Sequence, residues 1–440
     1  MIDIAQILAN LHIDRLNPMQ TAMLESYPAA REVILLSPTG SGKTLAYLLP
    51  LLATLNAETE GVQAVVLVPS RELALQTESV FKGMGTPYKI MSCYGGRPAM
   101  EEHRTMRNLL PAVIVGTPGR MNDHLQKQNF EVGSVKTLVI DEFDKSLELG
   151  FQDEMGEVIS LLPAVERRVL LSATDTDEIP SFTGVSKERA VTLDFSGDAA
   201  AGESRLTLYR VESPVKDKLE TLYELLCRLG DASVLVFCNY RESVERVGDY
   251  LRSKGVAADL FHGGMEQPAR ERALYRFRGG SCNVLVSTDL AARGLDIPQV
   301  EHIVHYHLPI GEEAFTHRNG RTARWTATGN AYLLVGPEEE LPEYAGYTLL
   351  YNMEGETPRP ARPRWATLYI GRGKKEKLSR ADVVGFLCKK GGLRADEVGV
   401  IDVKEHYTFA AVSRSRMKQL LTLVRGEKIK GQKTLFEEAK

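Results

Sequence analysis

The chain of 440 residues is poor in cysteine and tryptophan and lacks a long apolar run. Its five cysteines form no C-x-x-C pair, which argues against both a disulfide framework and a zinc site. The longest apolar run, residues 46–55, is too short to span a bilayer and is interrupted by Pro50 and Thr54. The first residues, Met1-Ile2-Asp3-Ile4, carry an acid where a signal peptide carries bases. We therefore expect a cytoplasmic protein without membrane-spanning segments.

The chain lacks an overall excess of positive charge, since its formal net charge is −4, but its basic residues are unevenly distributed. Residues 359–440 contain 20 Lys and Arg against 9 Asp and Glu, a net charge of +11. The remaining residues contain 34 basic and 49 acidic side chains, a net charge of −15. A basic segment attached to an acidic body indicates polyanion binding, with a merely solvated basic surface as the alternative.

Apolar runs typical of buried strands alternate with amphipathic stretches through two successive parts of the chain. They lie at 33–36, 64–68, 112–115, 138–140 and 169–171, and again at 234–237, 259–261, 284–286, 302–304 and 331–335. Because strands that alternate with helices form parallel sheets, this pattern predicts two doubly wound α/β domains, at 1–198 and 205–352. Residues 353–364, rich in proline and arginine, are predicted to be an extended linker to a small third domain at 365–440.

A glycine-rich segment directly after the first predicted strand has the composition of a phosphate-binding loop. Residues 37–44 read Ser-Pro-Thr-Gly-Ser-Gly-Lys-Thr. A loop that ends a strand and opens a helix directs backbone N–H groups and the positive end of the helix dipole at a polyphosphate. In such a loop the lysine reaches the β- and γ-phosphates and the threonine ligates Mg2+; the alternative is an ordinary turn. The candidate nucleotide-binding residues are Ser37, Thr39, Gly40, Ser41, Gly42, Lys43 and Thr44.

Acidic residues follow another predicted strand of the same domain, where residues 138–140 run into Asp141-Glu142-Phe143-Asp144. A carboxylate at the carboxyl end of a parallel strand, beside a phosphate loop, is where Mg2+ has to be held. We therefore assign Asp141 to the metal and Glu142 to the attacking water, which it would orient or deprotonate.

A basic segment of the second domain, residues 317–324, supplies the cation that this chemistry needs. Arg321 and Arg324 lie three residues apart and share one side of a helical turn. A guanidinium that comes from outside the loop's own domain stabilises the charge on a transferring γ-phosphoryl group. The alternative is an exposed basic helix. The candidate catalytic residues are Lys43, Asp141, Glu142, His317, Arg321 and Arg324.

From residue 12 to residue 324 the motifs, in their order, resemble those of the DEAD-box RNA helicases, two-domain ATPases of helicase superfamily 2. The resemblance implies two RecA-like domains, ATP and Mg2+ as cofactors, and RNA as partner. It assigns adenine recognition to Gln20 and a ribose contact to Asp296. Ser172 and Thr174 match the element that couples hydrolysis to strand separation. The residues that match the RNA-contacting motifs are Arg71, Gly95, Gly96, Thr117, Arg120, Arg270 and Thr288.

The chain departs from the family pattern at four positions near these motifs. Phe143 stands where the family has alanine, so we expect different packing behind Glu142. Ile13 stands where an aromatic ring usually stacks on adenine. Leu16 replaces a proline and Ser70 replaces a threonine. None of these changes removes a catalytic group.

The third domain has a β-α-β pattern that resembles an RNA-recognition motif, a small α+β fold. The segment Gly-Lys-Lys-x-Lys-Leu at 373–378 and the later Ile-Lys-Gly at 429–431 are similar to the DbpA branch of the family. Tyr369, Tyr407 and Phe409 either stack on bases, as in that fold, or pack in the core. The alternative RNA-binding surface is the basic loop with Lys374, Lys375 and Lys377.

The resemblance implies an ATP-dependent RNA helicase that remodels 23S ribosomal RNA during assembly of the large ribosomal subunit. Its partners would be a ribosomal RNA hairpin or duplex and the pre-ribosomal particle, and we expect a monomer. The alternatives are a general RNA chaperone or mRNA-remodelling helicase, an ATP-gated RNA clamp without unwinding, a non-catalytic RNA-binding scaffold, and a DNA translocase. Intact Lys43, Glu142 and Arg321 argue against the scaffold.

Overall fold

The computed structural model describes residues 3–38, 40–96, 99–174, 179–196, 206–289, 300–322, 329–346 and 348–439. Three of the predicted site residues, Thr39, Asp296 and Arg324, lie outside these ranges. The chain divides into two compact units, residues 1–204 with 294–296, and residues 205–293 with 297–440.

The first unit is built on a seven-stranded parallel sheet with the order β3-β4-β2-β5-β6-β1-β7. Its strands are β1 (Glu32–Leu36), β2 (Ala64–Leu67), β3 (Ile90–Cys93), β4 (Val113–Gly116), β5 (Thr137–Ile140), β6 (Arg167–Ser172) and β7 (Val191–Asp194). Alternate residues of β1 enter two different cores: Val33 and Leu35 join one, and Ile34 and Leu36 join the other. Because both faces of the sheet are covered, its inner strands are continuous apolar runs.

Helices follow the strands on both faces of this sheet. They are α1 (Ile4–Leu11), α2 (Pro18–Ser26), α3 (Lys43–Thr54), α4 (Arg71–Gly83), α5 (Ala99–Leu109), α6 (Pro118–Gln126), α7 (Phe143–Glu148) and α8 (Gln152–Ser160). Helix α3 begins directly after the glycine-rich loop, and α4 begins at Ser70, whose hydroxyl accepts a hydrogen bond from the amide of Leu73.

The second unit contains another seven-stranded parallel sheet, with the order β10-β11-β9-β12-β13-β8-β14. Its strands are β8 (Leu206–Glu212), β9 (Val234–Phe237), β10 (Ala258–Phe261), β11 (Val284–Ser287), β12 (His302–His305), β13 (Gly329–Val335) and β14 (Leu349–Leu350). The described helices are α9 (Leu219–Leu229), α10 (Arg241–Ser253), α11 (Gln267–Arg278) and α12 (Glu312–Asn319). Residues 351–364 then form neither helix nor strand.

The same unit ends in a four-stranded antiparallel sheet with the order β16-β17-β15-β20. Its strands are β15 (Trp365–Ile370), β16 (Val398–Val403), β17 (Thr408–Ser413) and β20 (Phe436–Glu438), and a hairpin of β18 (Lys428–Ile429) and β19 (Gln432–Lys433) lies beside them in sequence. One face packs on α13 (Arg380–Lys389) and α14 (Met417–Leu423) in a core that includes Leu368, Leu387 and Leu420. The two parallel sheets and the small α+β domain confirm the predicted fold class. No helix within the described ranges is both long enough and apolar enough to cross a membrane.

Candidate active site and nucleic-acid interface

The glycine-rich loop connects β1 to α3 and depends on two glycines in the left-handed region. Gly40 has φ +84° and Gly42 has φ +88°, a conformation that side chains with a Cβ rarely adopt. A Cβ on Gly42 would also lie 2.6 Å from Nε2 of Gln20. The loop therefore needs glycine here both for its turn and for its contact with the Gln20 segment.

The Gln20 segment is bonded to this loop through reciprocal side-chain contacts. The amide of Gln20 donates to Oδ1 of Asn17 over 2.8 Å, and the amide of Asn17 donates to Oε1 of Gln20 over 3.0 Å, a capping box at the start of α2. Nδ2 of Asn17 then donates to the carbonyl of Ser41 over 3.0 Å, and Nε2 of Gln20 donates to that of Gly42 over 3.3 Å. Asn17 was not among the predicted site residues, although it is the cap that sets the position of Gln20.

Lys43 is buried, with 8% of its surface exposed, and its ammonium is held by the loop. Nζ donates to the carbonyls of Ser37 and Pro38, the second over 3.2 Å. Burial lowers the pKa of Lys43, while the negative charges of Asp141 and Glu142 act in the opposite direction. The predicted phosphate-binding lysine thus lies in one electrostatic cluster with the predicted acids.

Asp141 and Glu142 lie at the carboxyl end of β5. Asp141 is 2% exposed, and burial together with the charge of Glu142 raises its pKa to about 7 even though Lys43 opposes the shift. The ammonium of Lys43 compensates the negative charge of Asp141 only in part, so a divalent cation would be stabilised beside this carboxylate. Carboxylate and hydroxyl oxygens, such as those of Asp141 and Thr44, are ligands that Mg2+ accepts. The residues present therefore fit the metal.

The departures from the family pattern are accommodated by packing. Phe143 is 1% exposed and belongs to the core on one face of the sheet, together with Met155 and Val158. Ile13 and Leu16 pack against the core on the other face. The different packing expected behind Glu142 is thus the burial of the Phe143 ring in this core.

The segment that contains the coupling residues Ser172 and Thr174 is hydrogen-bonded to the acidic segment. Oδ2 of Asp144 accepts from the amide of Ala173 over 3.1 Å and from Oγ1 of Thr174 over 3.2 Å. Oγ of Ser172 donates to the carbonyl of Thr174 over 2.5 Å. The sequence pattern assigns no role to Asp144, and the signal for its role is its position as the last acid of the tetrapeptide 141–144.

The predicted RNA-binding residues of the first unit follow three neighbouring strands at one edge of the sheet. Arg71 follows β2, Gly95 and Gly96 follow β3, and Thr117 follows β4. A Cβ on Gly96 would lie 2.6 Å from Nη1 of Arg71, so the missing side chain makes room for the guanidinium. Arg120, in the first turn of α6, forms an ion pair with Glu102 over 3.5 Å. The parallel topology thus gathers these residues where ligands of such sheets bind.

In the second unit, Arg270 and Thr288 lie near the carboxyl ends of β10 and β11. Arg270 is 5% exposed, and its guanidinium lies 5.2 Å from the ring centre of Phe261. Oγ of Ser287 donates to the carbonyl of Phe261 over 2.7 Å and joins the two strand ends. This hydrogen bond joins the ends of the two adjacent strands that precede Arg270, on α11, and Thr288.

The basic segment of the second unit contains a structural arginine beside the predicted catalytic residues. His317 and Arg321 are each 3% exposed, whereas Arg318 is 0% exposed. Nη2 of Arg318 donates to Oδ1 of Asn239 over 2.7 Å and to Oδ2 of Asp289 over 3.0 Å. Arg318 thus joins the residues that follow β9 and β11, a role that the sequence does not reveal because the partners lie 79 and 29 residues away along the chain.

In the C-terminal domain, the two basic segments noted in the sequence lie side by side. Nζ of Lys430 donates to the carbonyl of Lys377 over 2.6 Å, and Nη2 of Arg372 donates to that of Lys433 over 3.0 Å. Lys374, Lys375 and Lys377 are exposed, and no ion pair involves them within the part of the chain that the structure describes. We call the lysines 374, 375, 377, 430 and 433 the basic patch.

The aromatic residues of this domain are less accessible than those of a free base-stacking surface. Tyr369 is half-buried, with its ring centre 5.8 Å from that of Tyr407. Phe409 is 4% exposed, and its ring lies 4.8 Å from that of Tyr275 on α11. The ring of Phe409 is therefore neither free nor part of the domain's own core.

Three family models match successive parts of the chain. The DEAD/DEAH box helicase model matches residues 17–181, the helicase conserved C-terminal domain matches 217–326, and the DbpA RNA binding domain matches 367–438. One match falls in each parallel-sheet domain and one in the small C-terminal domain.

Curated relatives and solved structures agree with these models. The chain is 35% identical to the ATP-dependent RNA helicase DbpA of Escherichia coli strain K12, over 94% of this chain and 93% of the relative. It is 27% identical to the DbpA helicase of Bacillus subtilis strain 168, over 99% and 97%. The structure of S. cerevisiae Dbp5 bound to RNA and ADP BeF3 superposes with a TM-score of 0.67 at 28% identity, over 76% of this chain and 88% of that one. The chain therefore belongs to the DEAD-box family of ATP-dependent RNA helicases, in its DbpA branch.

Proposed function

We propose that this ATP-dependent RNA helicase remodels 23S ribosomal RNA during assembly of the large ribosomal subunit. The observation that carries the proposal is the basic patch, five lysines that the fold gathers on a C-terminal domain matching the DbpA RNA binding domain. Lys374, Lys375 and Lys377 are exposed and form no ion pair among the described residues, which suits RNA phosphates, whereas Lys430 pairs with Asp382. The patch would anchor the enzyme, as a monomer in the cytoplasm, on a ribosomal RNA hairpin of the pre-ribosomal particle.

For ATP hydrolysis we assign roles to the residues around the glycine-rich loop. Gln20 would read adenine, the loop with Thr39 and Lys43 would hold the phosphates, and Asp296 would contact the ribose. Mg2+ held by Thr44 and Asp141 would neutralise charge on the phosphate oxygens. Glu142 would orient or deprotonate the attacking water. His317, Arg321 and Arg324 would act on the γ-phosphoryl group when both units close on ATP and RNA.

For RNA we assign backbone contacts to the residues at the strand ends of both sheets. Backbone contacts position RNA without reading its sequence, which suits an enzyme that must act on a duplex beside its anchor. Ser172 and Thr174 would couple hydrolysis to strand separation, Thr174 through its hydrogen bond to Asp144 and Ser172 through its hydrogen bond to the carbonyl of Thr174. The proposed backbone contacts are Arg71, Gly95, Gly96, Thr117 and Arg120 in the first unit and Arg270 and Thr288 in the second.

The test is RNA-stimulated ATPase activity with fragments of 23S ribosomal RNA. We expect one fragment to stimulate the wild-type enzyme at a lower concentration than the others. The double variant Lys374→Glu/Lys375→Glu should keep the basal rate and lose this preference, whereas Lys418→Glu on α14 should behave as wild type. Equal stimulation of the wild type by all fragments would contradict the ribosomal assignment. Charge reversal is preferable to deletion of the domain, because deletion would also expose Tyr275.

A further inference from the structure

Three side chains of metal-ligating type, from three different elements of the first unit, meet beside the proposed RNA contacts. Cys93 ends β3, Glu102 lies in the first turn of α5, and His124 lies on α6. Sγ of Cys93, a carboxylate oxygen of Glu102 and a ring nitrogen of His124 all lie within 4.8 Å of one another. We call these three residues the Cys-Glu-His cluster.

The Cys-Glu-His cluster is buried, although its members are ionisable. Cys93 and His124 are 0% exposed, and Glu102 is 4% exposed. Burial and the negative charge of Glu102 raise the pKa of Cys93, so its thiol carries a proton at neutral pH. A buried carboxylate is costly unless cations or hydrogen-bond donors compensate its charge. Glu102 therefore depends on the groups around it.

Glu102 is shared between a histidine and an arginine. Nε2 of His124 lies 3.0 Å from Oε2 of Glu102, and Nε of Arg120 lies 3.5 Å from the same oxygen. The distance to Arg120 is longer than the roughly 2.7–2.9 Å of a strong charge-assisted hydrogen bond, so the carboxylate keeps capacity for a further cation. Arg120 also pairs with Asp123 over 3.8 Å, and the side chain of Asp123 is 33% exposed. A path from solvent to Glu102 thus runs along Arg120.

The imidazole of His124 is held from its other side, as in many metal sites. Its Nδ1 lies 2.8 Å from Nδ2 of Asn129, and the backbone amide of Asn129 donates to the carbonyl of His124 over 3.0 Å. A metal-ligating histidine almost always donates its other ring N–H to an oxygen acceptor, which fixes the ring and its tautomer. If the side-chain amide of Asn129 turns, its oxygen accepts from Nδ1–H, and Nε2 then directs a lone pair into the cluster.

We propose that the Cys-Glu-His cluster binds a divalent cation of the Zn2+ type, at a site separate from the proposed Mg2+ site at Asp141. Thiolate, imidazole and carboxylate together suit Zn2+, whereas Mg2+ requires oxygen ligands. Tetrahedral ligands of Zn2+ lie roughly 3.3–3.6 Å apart, so the cluster would contract by about 1 Å. Sγ binds as the thiolate and its proton leaves to solvent, while a water fills the fourth position. The site needs no C-x-x-C pair, because the fold brings its ligands together from three elements.

Uptake of Zn2+ at the Cys-Glu-His cluster would change the electrostatics around Arg120. Exchange of the thiol proton for a dication adds one positive charge, and Glu102 then bonds to the metal in place of Arg120. Added positive charge at a phosphate contact strengthens the binding of nucleic acid. We therefore expect Zn2+ to strengthen RNA binding by the first unit. This second part rests on the proposed function, in which Arg120 contacts the RNA backbone.

The metal site is tested with Co2+, which occupies zinc sites and absorbs light strongly when a thiolate binds it. The full-length protein is titrated in excess Mg2+, as wild type, as Cys93→Ala and as the control Cys227→Ala, whose cysteine is 3% exposed on α9. We expect one equivalent of Co2+ to produce a thiolate-to-cobalt band in wild type and in the control but not in Cys93→Ala, and Zn2+ to abolish the band. Absence of the band in wild type, or an equal band in Cys93→Ala, would overturn the site.

Glu102→Gln keeps the shape of the buried side chain and tests the site even if Cys93→Ala does not fold. Its matched control is Glu101→Gln, at the exposed neighbouring position. Since a ligand of the folded state raises the thermal midpoint of unfolding, we expect Zn2+ to raise it by several degrees in wild type and in Glu101→Gln. The rise should be much smaller in Glu102→Gln, with an affinity for Zn2+ at least ten-fold weaker. Equal rises in Glu102→Gln and wild type would place the bound Zn2+ elsewhere.

The effect on RNA is measured as the RNA concentration that gives half-maximal ATPase stimulation. Free Zn2+ is set by a chelator buffer, so that ATP does not deplete it, and the RNA is one short duplex with a single-stranded extension. We expect Zn2+ to lower this concentration several-fold for wild type and to leave it unchanged for Cys93→Ala, with equal basal rates. An unchanged or higher RNA requirement in wild type that shows the cobalt band would overturn the second part. Because the cobalt titration contains no RNA, it tests the metal site whether or not Arg120 contacts RNA.

Discussion

Oγ1 of Thr174 donates a hydrogen bond over 3.2 Å to Oδ2 of Asp144, so the segment after β6 is bonded to the acidic segment after β5. The carbonyl of Ser172, two residues earlier, accepts a hydrogen bond from the amide of Ser37 over 3.0 Å. One short segment therefore contacts both the phosphate loop and the acids that follow β5. A change in either one alters the hydrogen bonds available to the other.

Replacement of Thr174 by valine keeps the size of the side chain and removes the hydroxyl that donates a hydrogen bond to Asp144. We expect RNA-stimulated ATP hydrolysis to stay within a few-fold of wild type, because no group of the proposed catalytic set is lost. Unwinding of an RNA duplex should fall by roughly ten-fold, which corresponds to about 1.4 kcal/mol, the scale of one hydrogen bond to a charged group. Both rates are measured on the same duplex.

Thr105→Val is the control for this substitution, since its hydroxyl bonds only within the exposed turn of α5, to the carbonyl of Glu101. It should leave both rates unchanged. A parallel loss of hydrolysis and unwinding in Thr174→Val would contradict a coupling role.

Lys43→Ala and Glu142→Gln test the proposed catalytic roles separately. Lys43→Ala removes the buried ammonium that the loop holds, so we expect loss of both ATP binding and turnover. Glu142→Gln keeps the shape of the side chain and removes the base, so turnover should fall by about 10^2-fold or more while ATP still binds. Phosphate release and binding of a fluorescent ATP analogue measure the two effects.

Lys82→Ala is the matched control, because this lysine is exposed and pairs with Glu78 one turn away. It should change neither measurement. Turnover near the wild-type level in Glu142→Gln would assign the water-activating role to another residue.

The contiguous motifs were predictable because each one is read from neighbouring residues. The loop at 37–44, the acids after β5 and the alternation of strands and helices all require only local pattern and the rules of parallel sheets. Contacts between distant residues were not predictable in this way. Arg318 meets Asp289 and Asn239 at separations of 29 and 79 residues, and its burial depends on where the whole sheet places three strand ends.

The aromatic residues of the C-terminal domain show the same limit. Tyr369, Tyr407 and Phe409 have the spacing of residues on one sheet face, and the strands place Tyr369 and Phe409 opposite each other. Nothing in that spacing specifies what lies against the face. The partner, Tyr275, belongs to helix α11 of another domain. In the sequence of that helix it occupies the position of an ordinary buried residue.

Asp141→Asn is expected to stabilise the nucleotide-free protein while it abolishes hydrolysis. Burial raises the pKa of Asp141 to about 7, above its ordinary value of 3.8. The unfolded chain therefore loses this proton at lower pH than the folded chain, so the group destabilises the fold increasingly from pH 4 to pH 7 and by a constant amount above. The advantage of the variant should thus be larger at pH 8 than at pH 5, by roughly 2 kcal/mol.

The measurement is the thermal midpoint of unfolding of wild type and variant at both pH values, without nucleotide. Asp123→Asn is the control, because hydrogen bonding to Lys127 lowers the pKa of Asp123. The ionised carboxylate of Asp123 therefore stabilises the fold, and this stabilisation is fully present at any pH above its ordinary pKa. We expect Asp123→Asn to lose the same amount of stability at pH 5 and at pH 8. An equal midpoint difference for Asp141→Asn at the two pH values would mean that Asp141 is ionised throughout this range.

Arg318→Met should destabilise the second unit without touching the proposed chemistry directly. The methionine fills much of the arginine's volume but leaves Asp289 and Asn239 without their donor. Loss of one partner of a buried charged pair costs about 3–5 kcal/mol, and since the side chain of Asp289 is 40% exposed we expect roughly 2–3 kcal/mol. Arg246→Met, at an exposed ion pair with Asp217, should cost less than about 1 kcal/mol.

Calorimetry of the full chain measures the stability of both variants, and ATPase activity at low temperature separates a structural role of Arg318 from a catalytic one. Activity restored on cooling indicates a structural arginine, whereas activity that stays absent at temperatures where the variant is folded would place Arg318 with Arg321 in the catalytic machinery.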